Sequence, residues 1–110
     1  MGKFEITLRK NNEFQFNLVA SNGQVILTSE GYVQKASCMN GIESVRKNAP
    51  EDARYERKVS SNEKFYFNLK ATNGQIIGTS QMYKSEASRE KGIQSVKNNA
   101  PEAKIDDQTV

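Results

Sequence analysis

An internal repeat constrains this chain more than any other feature of its sequence. When residues 11–50 are aligned with residues 62–101, without gaps, about 22 of the 40 positions are identical. Self-similarity at a fixed period is the signature of a duplicated supersecondary unit. A unit of about 50 residues buries too little surface to be stable alone. We therefore expect one shared core in a single domain, residues 1–110, with repeat one at 1–51 and repeat two at 52–110.

The first part of each copy has the pattern of a β-hairpin. Apolar and polar residues alternate in residues 14–20 and again in 65–71, which is the period of a half-buried strand. An Asn-Gly pair follows in each copy. Between apolar runs such a pair predicts a two-residue type I′ turn, because both central residues of that turn need a positive φ. The next strands are expected at residues 24–29 and 75–80.

The predicted turn determines which side chains share a face of the sheet. It pairs Leu18 with Leu27 on the core face and Asn17 with Thr28 on the outer face. The second copy repeats the outer pair, and an isoleucine accompanies it in each copy. We treat this outer face as the candidate binding face, and its residues are Asn17, Ile26, Thr28, Asn68, Lys70, Ile77 and Thr79. Cross-strand pairs also stabilise sheets, so a purely structural role is the alternative.

Helices complete each unit. Apolar stripes of helical period predict helices over residues 34–48 and 86–99, each followed by a proline, and Ser85 suits the N-cap of the second. First strands are expected at 3–9 and 54–59, and a last edge strand at 103–107. Arg57 stands where the first copy has Ile6. The fold class is therefore α+β, with two tandem β-β-β-α(-β) repeats that form one antiparallel sheet, both helices on one face, and a pseudo-twofold axis.

A stripe of small and polar residues runs along each predicted helix. Its members recur at helical spacing in both copies, and they are Ser37, Gly41, Ser44, Asn48 and Ser88, Gly92, Ser95, Asn99. Glycine inside a helix costs about 1 kcal/mol relative to alanine, so its presence in both copies requires a reason. Close approach of the two helices to each other, or of a helix to the sheet, is the favoured interpretation, and a groove for a partner is the alternative.

The repeated blocks resemble the YegP-like family of small bacterial proteins. The resemblance spans nearly the whole chain and rests on Phe67-Asn68-Leu69-Lys70-Ala71, Asn73-Gly74-Gln75-Ile76-Ile77, Thr79-Ser80, Tyr83 and Gly92-Ile93-Gln94-Ser95-Val96-Lys97, with their first-copy partners. It implies two β-β-β-α-β units in one sheet, in which the strand after each helix is exchanged to the other unit. It implies no activity.

Catalytic and metal signatures are absent from the sequence. One cysteine, Cys38, and no histidine leave no pair for a zinc site or for a Cys-His or Ser-His nucleophile. Arg89 occupies the matching position of the second copy, so a structural thiol is favoured at Cys38. No glycine-rich phosphate loop is present. We expect no metal, no cofactor and no enzymatic activity, with unrecognised carboxylate or Ser/Lys chemistry as a minor alternative.

The charge of the chain is mildly positive, at +3. A short basic run, the candidate basic patch, consists of Arg54, Arg57 and Lys58, and a solvated surface is its favoured interpretation. The lone cysteine and the lack of an apolar leader or long apolar run predict a cytoplasmic protein without a membrane segment. Our first functional hypothesis is a small binding domain for a protein partner or a second copy of itself. Weak nucleic-acid binding through the basic patch and Lys70 is the alternative.

Overall fold

The computed structural model describes residues 2–110. Its elements are β1 (Lys3–Leu8), β2 (Phe14–Val19), β3 (Val25–Thr28), α1 (Lys35–Asn48), β4 (Tyr55–Val59), β5 (Phe65–Lys70), β6 (Ile76–Thr79), α2 (Glu86–Asn99) and β7 (Lys104–Asp107). Short 3-10 helices at Asp52–Arg54 and Ala100–Glu102 follow the two long helices. The α+β class and the predicted strands and helices are confirmed, to within one or two residues at their ends.

All seven strands belong to one sheet. Their order is β4-β5-β6-β3-β2-β1-β7, so each repeat contributes a three-stranded meander and the two meanders meet at β3 and β6. Every pairing is antiparallel except that of β7 with β1, which is parallel. This departs from the fully antiparallel sheet that we predicted. The strand after α2 pairs with the first strand of the other repeat, as the family resemblance implied.

The hairpin turns differ from the prediction, although the register is correct further along the strands. Ala20 accepts a hydrogen bond from the Gly23 amide and donates its own amide to Gln24, so the loop has three residues, Ser21 to Gly23. Gly23 has a φ of 87°, whereas Asn22 is not in the positive-φ region, which excludes a type I′ turn. The second repeat has the same turn.

A β-bulge compensates for the extra loop residue. The register between β2 and β3 shifts between Leu18 and Val19, and Leu18 still pairs with Leu27. The extra residue of the bulge is Ile26. A bulge adds one residue to one strand, so it cancels the one-residue offset of the longer loop. Asn17 therefore still pairs with Thr28, as predicted.

The bulge also overturns the predicted placement of two isoleucines. Ile26 and Ile77 do not lie on an exposed outer face, because they are only 4% and 8% exposed and belong to the core cluster. Their neighbours Val25 and Ile76 are exposed instead, at 41% and 45%. Simple alternation along the strand fails here because the bulge reverses it locally.

Both helices pack on the same face of the sheet and share one core. A single cluster contains Ile42 and Val45 of α1 together with Ile93 and Val96 of α2. Ser85 caps α2 as predicted, since its side chain accepts a hydrogen bond from the Ser88 amide. Each helix contacts strands of both repeats, so neither repeat has a core of its own.

Close packing accounts for the glycines of the helix stripe. A Cβ atom at Gly41 would lie 2.5 Å from the Tyr32 hydroxyl, and one at Gly92 would lie 2.2 Å from the Tyr83 hydroxyl. Each tyrosine ring in turn stacks on a buried phenylalanine of its repeat. These glycines allow a tyrosine to lie against each helix, so close packing explains them. The stripe residues Ser88, Gly92 and Ser95 also line a smaller groove of about 350 Å³.

The two ends of the sheet differ, and this difference explains both asymmetries between the repeats. β7 covers β1, whereas no strand among the described residues pairs with the outer edge of β4. Ile6 is buried next to β7, and the equivalent Arg57 is solvent-accessible. Cys38 is fully buried. Arg89 at the matching position is only 8% exposed, lies over the Phe65 ring and donates a hydrogen bond to the Lys58 carbonyl.

Candidate functional site

An open groove of about 710 Å³ lies where the two repeats meet, and we call it the seam groove. Residues from equivalent positions of the two repeats line it, which places it on the pseudo-twofold axis. Its lining residues are Gln24, Val25, Thr28, Ser29 and Glu30 from the first repeat and Ile76, Gly78, Thr79, Ser80 and Gln81 from the second.

The seam groove exists because β3 and β6 barely pair. Thr28 and Thr79 are the single residue pair that joins them. The next residues, Ser29 and Ser80, are hydrogen-bonded to the neighbouring strand of their own repeat. Each serine hydroxyl accepts a hydrogen bond from a phenylalanine amide of the neighbouring strand and donates one to the carbonyl of the residue that follows it. Pairing of the two strands across the seam is therefore limited to the threonine pair.

The space between β3 and β6 at the pseudo-twofold axis is large enough for only one large side chain. Leu27 and Gly78 occupy equivalent positions, and a Cβ at Gly78 would lie 2.6 Å from the Leu27 side chain. Leu27 is fully buried, so it fills the position that a second leucine would need. The glycine leaves only backbone on its side of the groove.

The chemistry of the seam groove is apolar at its flanks and polar at its centre. Val25 and Ile76 contribute exposed apolar side chains, and Thr28 and Thr79 contribute hydroxyls. Glu30 is the one ionisable residue in the lining. Such a surface suits a polypeptide segment with apolar side chains. It does not suit phosphates, because it offers them no cation.

Asparagine, threonine and lysine of the predicted binding face are brought together in the second repeat. The Thr79 hydroxyl donates to Asn68 Oδ1 at 2.9 Å, and Asn68 Nδ2 donates to Glu56 at 3.1 Å. Lys70 Nζ lies 3.0 Å from the other Glu56 oxygen. The hydrogen bond from Asn68, and then that from Lys70, lowers the pKa of the Glu56 carboxyl. Asn68 and Lys70 are thus engaged in an internal network beside the groove, and Thr79 belongs to both.

The first repeat arranges the same face differently. Asn17 pairs with Thr28 and accepts a long hydrogen bond, 3.5 Å, from Gln15. Of the seven residues predicted for the binding face, the structure places Thr28 and Thr79 in the groove. Ile26 and Ile77 lie in the core. Sequence reasoning missed Val25 and Ile76, because only the bulge exposes them and a regular strand would have turned them inward.

Carboxylates pair with one residue of the predicted basic patch, Arg57. Arg57 forms ion pairs with Glu90 at 2.8 Å and with Asp52 at 3.1 Å. The hydrogen bonds that the guanidinium donates to Glu90, and then to Asp52, raise its pKa. Arg54 donates to the Asn48 side chain at 3.1 Å. Arg57 is therefore held by two carboxylates, whereas the partner of Arg54 is a neutral amide.

The thiol has the character of a core residue. Cys38 is completely buried, and burial raises its pKa to about 11. A thiol with a raised pKa is a poor nucleophile and a poor metal ligand at neutral pH. Within residues 2–110 no cluster of three acidic, cysteine or histidine side chains has the geometry to hold a metal ion. In the same residues, no helix has the length and apolar character to cross a membrane.

Comparison with known protein families shows which family the chain belongs to. Residues 10–56 and 60–107 each match the family described as Domain of unknown function (DUF1508). The chain belongs to the DUF1508 family. The two matched stretches correspond to the two repeats, and they confirm the duplication and the resemblance to YegP-like proteins that the sequence indicated.

Relatives of known sequence and structure agree with this family. A UPF0339 protein encoded in the 5′ region of the ptx operon of Stutzerimonas stutzeri is 65% identical over 104 residues, 94% of each chain. The UPF0339 protein YegP of Escherichia coli K12 is 55% identical over 108 residues, 98% of each. The solution structure of E. coli YegP, described as a protein of unknown function, matches with a TM-score of 0.93 at 54% identity and covers 97% of this chain and 92% of its own.

A second solution structure has the same fold. It is that of a UPF0339 protein of Shewanella oneidensis, which matches with a TM-score of 0.91 at 55% identity over 96% of this chain and 90% of its own. These DUF1508 relatives are named without an activity, so the function of the family has to be argued from the site.

Proposed function

We propose that this protein is a non-enzymatic binding domain of the cytoplasm that holds an extended segment of a partner protein in the seam groove. The observation that carries the proposal is the exposure of Val25 and Ile76, one from each repeat, on a single groove at the axis. Isolated exposed apolar residues are ordinary, whereas apolar residues that converge on a concave surface are typical of binding sites.

The strand edges in the groove support an extended partner. β3 and β6 pair only at Thr28 and Thr79. Their N-terminal residues, Val25 and Ile76, therefore have no cross-seam strand partner among the described residues. A free strand edge provides backbone donors and acceptors to an added strand, and flanking pockets provide specificity. In the seam groove the two flanks are the apolar side chains.

The chemistry of the groove supports binding rather than catalysis. Catalytic sites place an acid, a base or a nucleophile where these groups act together. Here one carboxylate, Glu30, stands among hydroxyls, amides and aliphatic side chains. The single, buried thiol of Cys38 is compatible with the reducing cytoplasm that the proposal assigns to the protein.

Site-specific crosslinking in native cells tests the proposal. A photoreactive amino acid at position 25 or 76 should crosslink one reproducible partner, and mass spectrometry should locate the bond within a single extended segment of it. The same amino acid at position 33 is the matched control, because Val33 is also an exposed apolar residue but lies outside the groove.

Charge substitution provides the second arm. The double variant Val25→Glu, Ile76→Glu should lower the affinity for the identified segment by at least about tenfold, since it places charges on the apolar flanks. Val33→Glu should leave that affinity unchanged. Equal crosslinking at positions 25, 76 and 33, or full affinity in the double variant, would refute the proposal.

A further inference from the structure

The outer edge of β4 is an open strand edge, whereas the equivalent edge of β1 is occupied. β1 and β4 take the same place in their repeats, next to β2 and β5 respectively, and β7 lies along β1 alone. The molecule thus contains one occupied and one vacant copy of the same docking geometry. The occupied copy shows how the backbone of an added strand lies at this position.

Backbone groups of β4 point outward at the positions where β1 binds β7. The Ile6 carbonyl accepts a hydrogen bond from the Gln108 amide at 2.9 Å. Arg57 is the equivalent of Ile6, as both face a buried phenylalanine across the first antiparallel pair. On the second repeat, Phe65 directs its amide and carbonyl to Tyr83. Val59 lies opposite Phe65, so its backbone amide and carbonyl point away from β5. Hydrogen-bonded positions alternate along an antiparallel pair, so the amide and carbonyl of Arg57, two residues earlier, also point to the open edge.

The strand that occupies the β1 edge has a recognisable pattern. A basic, an apolar and an acidic residue follow one another in β1, at the junction of the 3-10 helix with β4, and in β7, as Lys3-Phe4-Glu5, Arg54-Tyr55-Glu56 and Lys104-Ile105-Asp106. In the parallel pair these triads lie in register, residue for residue. Ile105 packs against the core, and the next acidic residue, Asp107, lies in register with Ile6 and forms an ion pair with Lys35 at 2.7 Å.

The vacant edge carries charge where the occupied one is apolar. Arg57 replaces Ile6, and its hydrogen bonds to Glu90 and Asp52 run through Nε and Nη2. Its Nη1 makes no hydrogen bond to the described residues, and a guanidinium has five donors. Charged edge residues discourage pairing with apolar strands. They admit a strand that brings a carboxylate to Arg57.

We propose that the β4 edge binds an extended segment of a partner protein as an additional parallel strand. The segment places an apolar residue beside Tyr55 and an acidic residue, two positions later, beside Arg57. Backbone hydrogen bonds provide the affinity, and these two side chains provide the selectivity. This surface is at the opposite end of the second meander from the seam groove, and it does not depend on the function proposed for that groove.

A peptide titration tests this inference with the 110-residue chain. The probe is a capped synthetic peptide of residues 103–110 of this protein, added to isotope-labelled protein and followed by amide chemical shifts. Saturable shifts are expected at the amides of Tyr55–Val59. Their absence at peptide concentrations of several millimolar would overturn the proposal, and so would shifts confined to Lys3–Leu8, which would show exchange with the protein's own strand.

Modified peptides distinguish strand addition from charge attraction, without any risk to the fold of the protein. A methyl group on the Gln108 amide removes the donor that faces the edge and should weaken binding about tenfold, whereas a methyl group on the Asp107 amide faces away and should change it little. Equal effects of the two methyl groups would contradict a strand.

The role of Arg57 is tested by a pair of changes. Replacing Asp107 of the peptide by alanine should weaken binding to the natural chain about 2- to 5-fold, as expected for a solvent-accessible ion pair. The same replacement should have no effect on binding to the Arg57→Ile variant, which reproduces the first repeat. An equal loss in both proteins would contradict the contact. Self-association that shifts the Tyr55–Val59 amides without peptide would identify the occupant as a second copy and would also overturn the proposal.

Discussion

At the residue scale, two glycines determine how closely the helices approach the sheet. Gly92 of α2 lies against the Tyr83 ring, and Gly41 of α1 lies against Tyr32 in the same way. The repetition of glycine at both sites follows from contact with an aromatic ring. A groove along the helix stripe is not needed to explain it.

Substitution of Gly92 by alanine should destabilise the protein. The added Cβ would lie 2.2 Å from the Tyr83 hydroxyl, and overpacking of this kind costs about 1–3 kcal/mol, against a helix-propensity gain of about 1 kcal/mol. Urea unfolding should show a net loss. Lys91→Ala, on an exposed part of the same helix turn, is the control. A Gly92→Ala variant as stable as the natural chain would mean that the tyrosine moves away freely.

The isoleucines and their exposed neighbours provide a second comparison at this scale. Ile26→Ala should cost about 2–4 kcal/mol of unfolding free energy, since Ile26 is a core residue, and Val25→Ala should cost less than about 1 kcal/mol. Urea unfolding of the two variants measures the difference. Similar losses, or a larger loss at Val25, would show that the bulge is absent in solution.

At the element scale, the bulges and the three-residue turns are the features that the sequence did not predict. Strand alternation, the helix stripes and the Ser85 cap follow from local chemistry, so they were predictable. The Asn-Gly pair is compatible with two turn types, and the choice between them shifts the register by one residue. Asn17 and Thr28 were still paired correctly, because the bulge at Ile26 reverses that shift. Nothing local to residues 24–28 indicates the bulge, so the exposure of Val25 could not be foreseen.

Ion pairs attach β7 to the rest of the sheet. Lys35 lies 2.7 Å from Asp107, and this contact, followed by hydrogen bonds from Thr109, lowers the pKa of the Asp107 carboxyl to about 2. A carboxyl whose pKa is lower in the folded state than in the unfolded state stabilises the fold. This contribution is complete at pH values above the pKa of the unfolded state, about 3.9, and is lost as the pH falls towards 2.

β7 should therefore loosen between about pH 4 and pH 2. In amide exchange measurements, the Gln108 amide that bonds to Ile6 should lose protection before the amides of the β1–β2 ladder do. The Lys35→Ala variant should raise the pKa of Asp107, observed by NMR of its carboxyl carbon, and shift the loosening to higher pH. Lys47→Ala, on an exposed part of α1, should change neither. Simultaneous loss of protection in β7 and β2 would contradict a local effect.

At the scale of the whole molecule, the duplication produces a sheet with one seam and two unequal ends. The sequence predicted the number of strands per repeat, the common face of the helices and the shared core, because these follow from hydrophobic period and size. It did not predict the groove, which results from the near-absence of pairing between β3 and β6. It did not predict that β7 runs parallel to β1 either. The hydrophobic pattern of so short and acidic a strand does not indicate in which direction it pairs.

The unequal ends also give meaning to differences between the repeats. Arg57 and Arg89 lie at the end without a covering strand, and Ile6 and Cys38 lie at the end that β7 covers. Thr28 and Thr79, which the repeats share, lie at the seam groove, whereas Arg57 and Arg89, which they do not share, lie at one end of the sheet.

Contacts measured between the seam groove and its bound segment test the central claim most directly. The partner segment identified by crosslinking should be titrated into methyl-labelled protein, and intermolecular nuclear Overhauser effects should be recorded. We predict contacts from the segment to the methyl groups of Val25 and Ile76 and to those of Thr28 and Thr79 on the same groove. Contacts confined to the exposed sides of the helices, or to the sheet ends, would contradict the account.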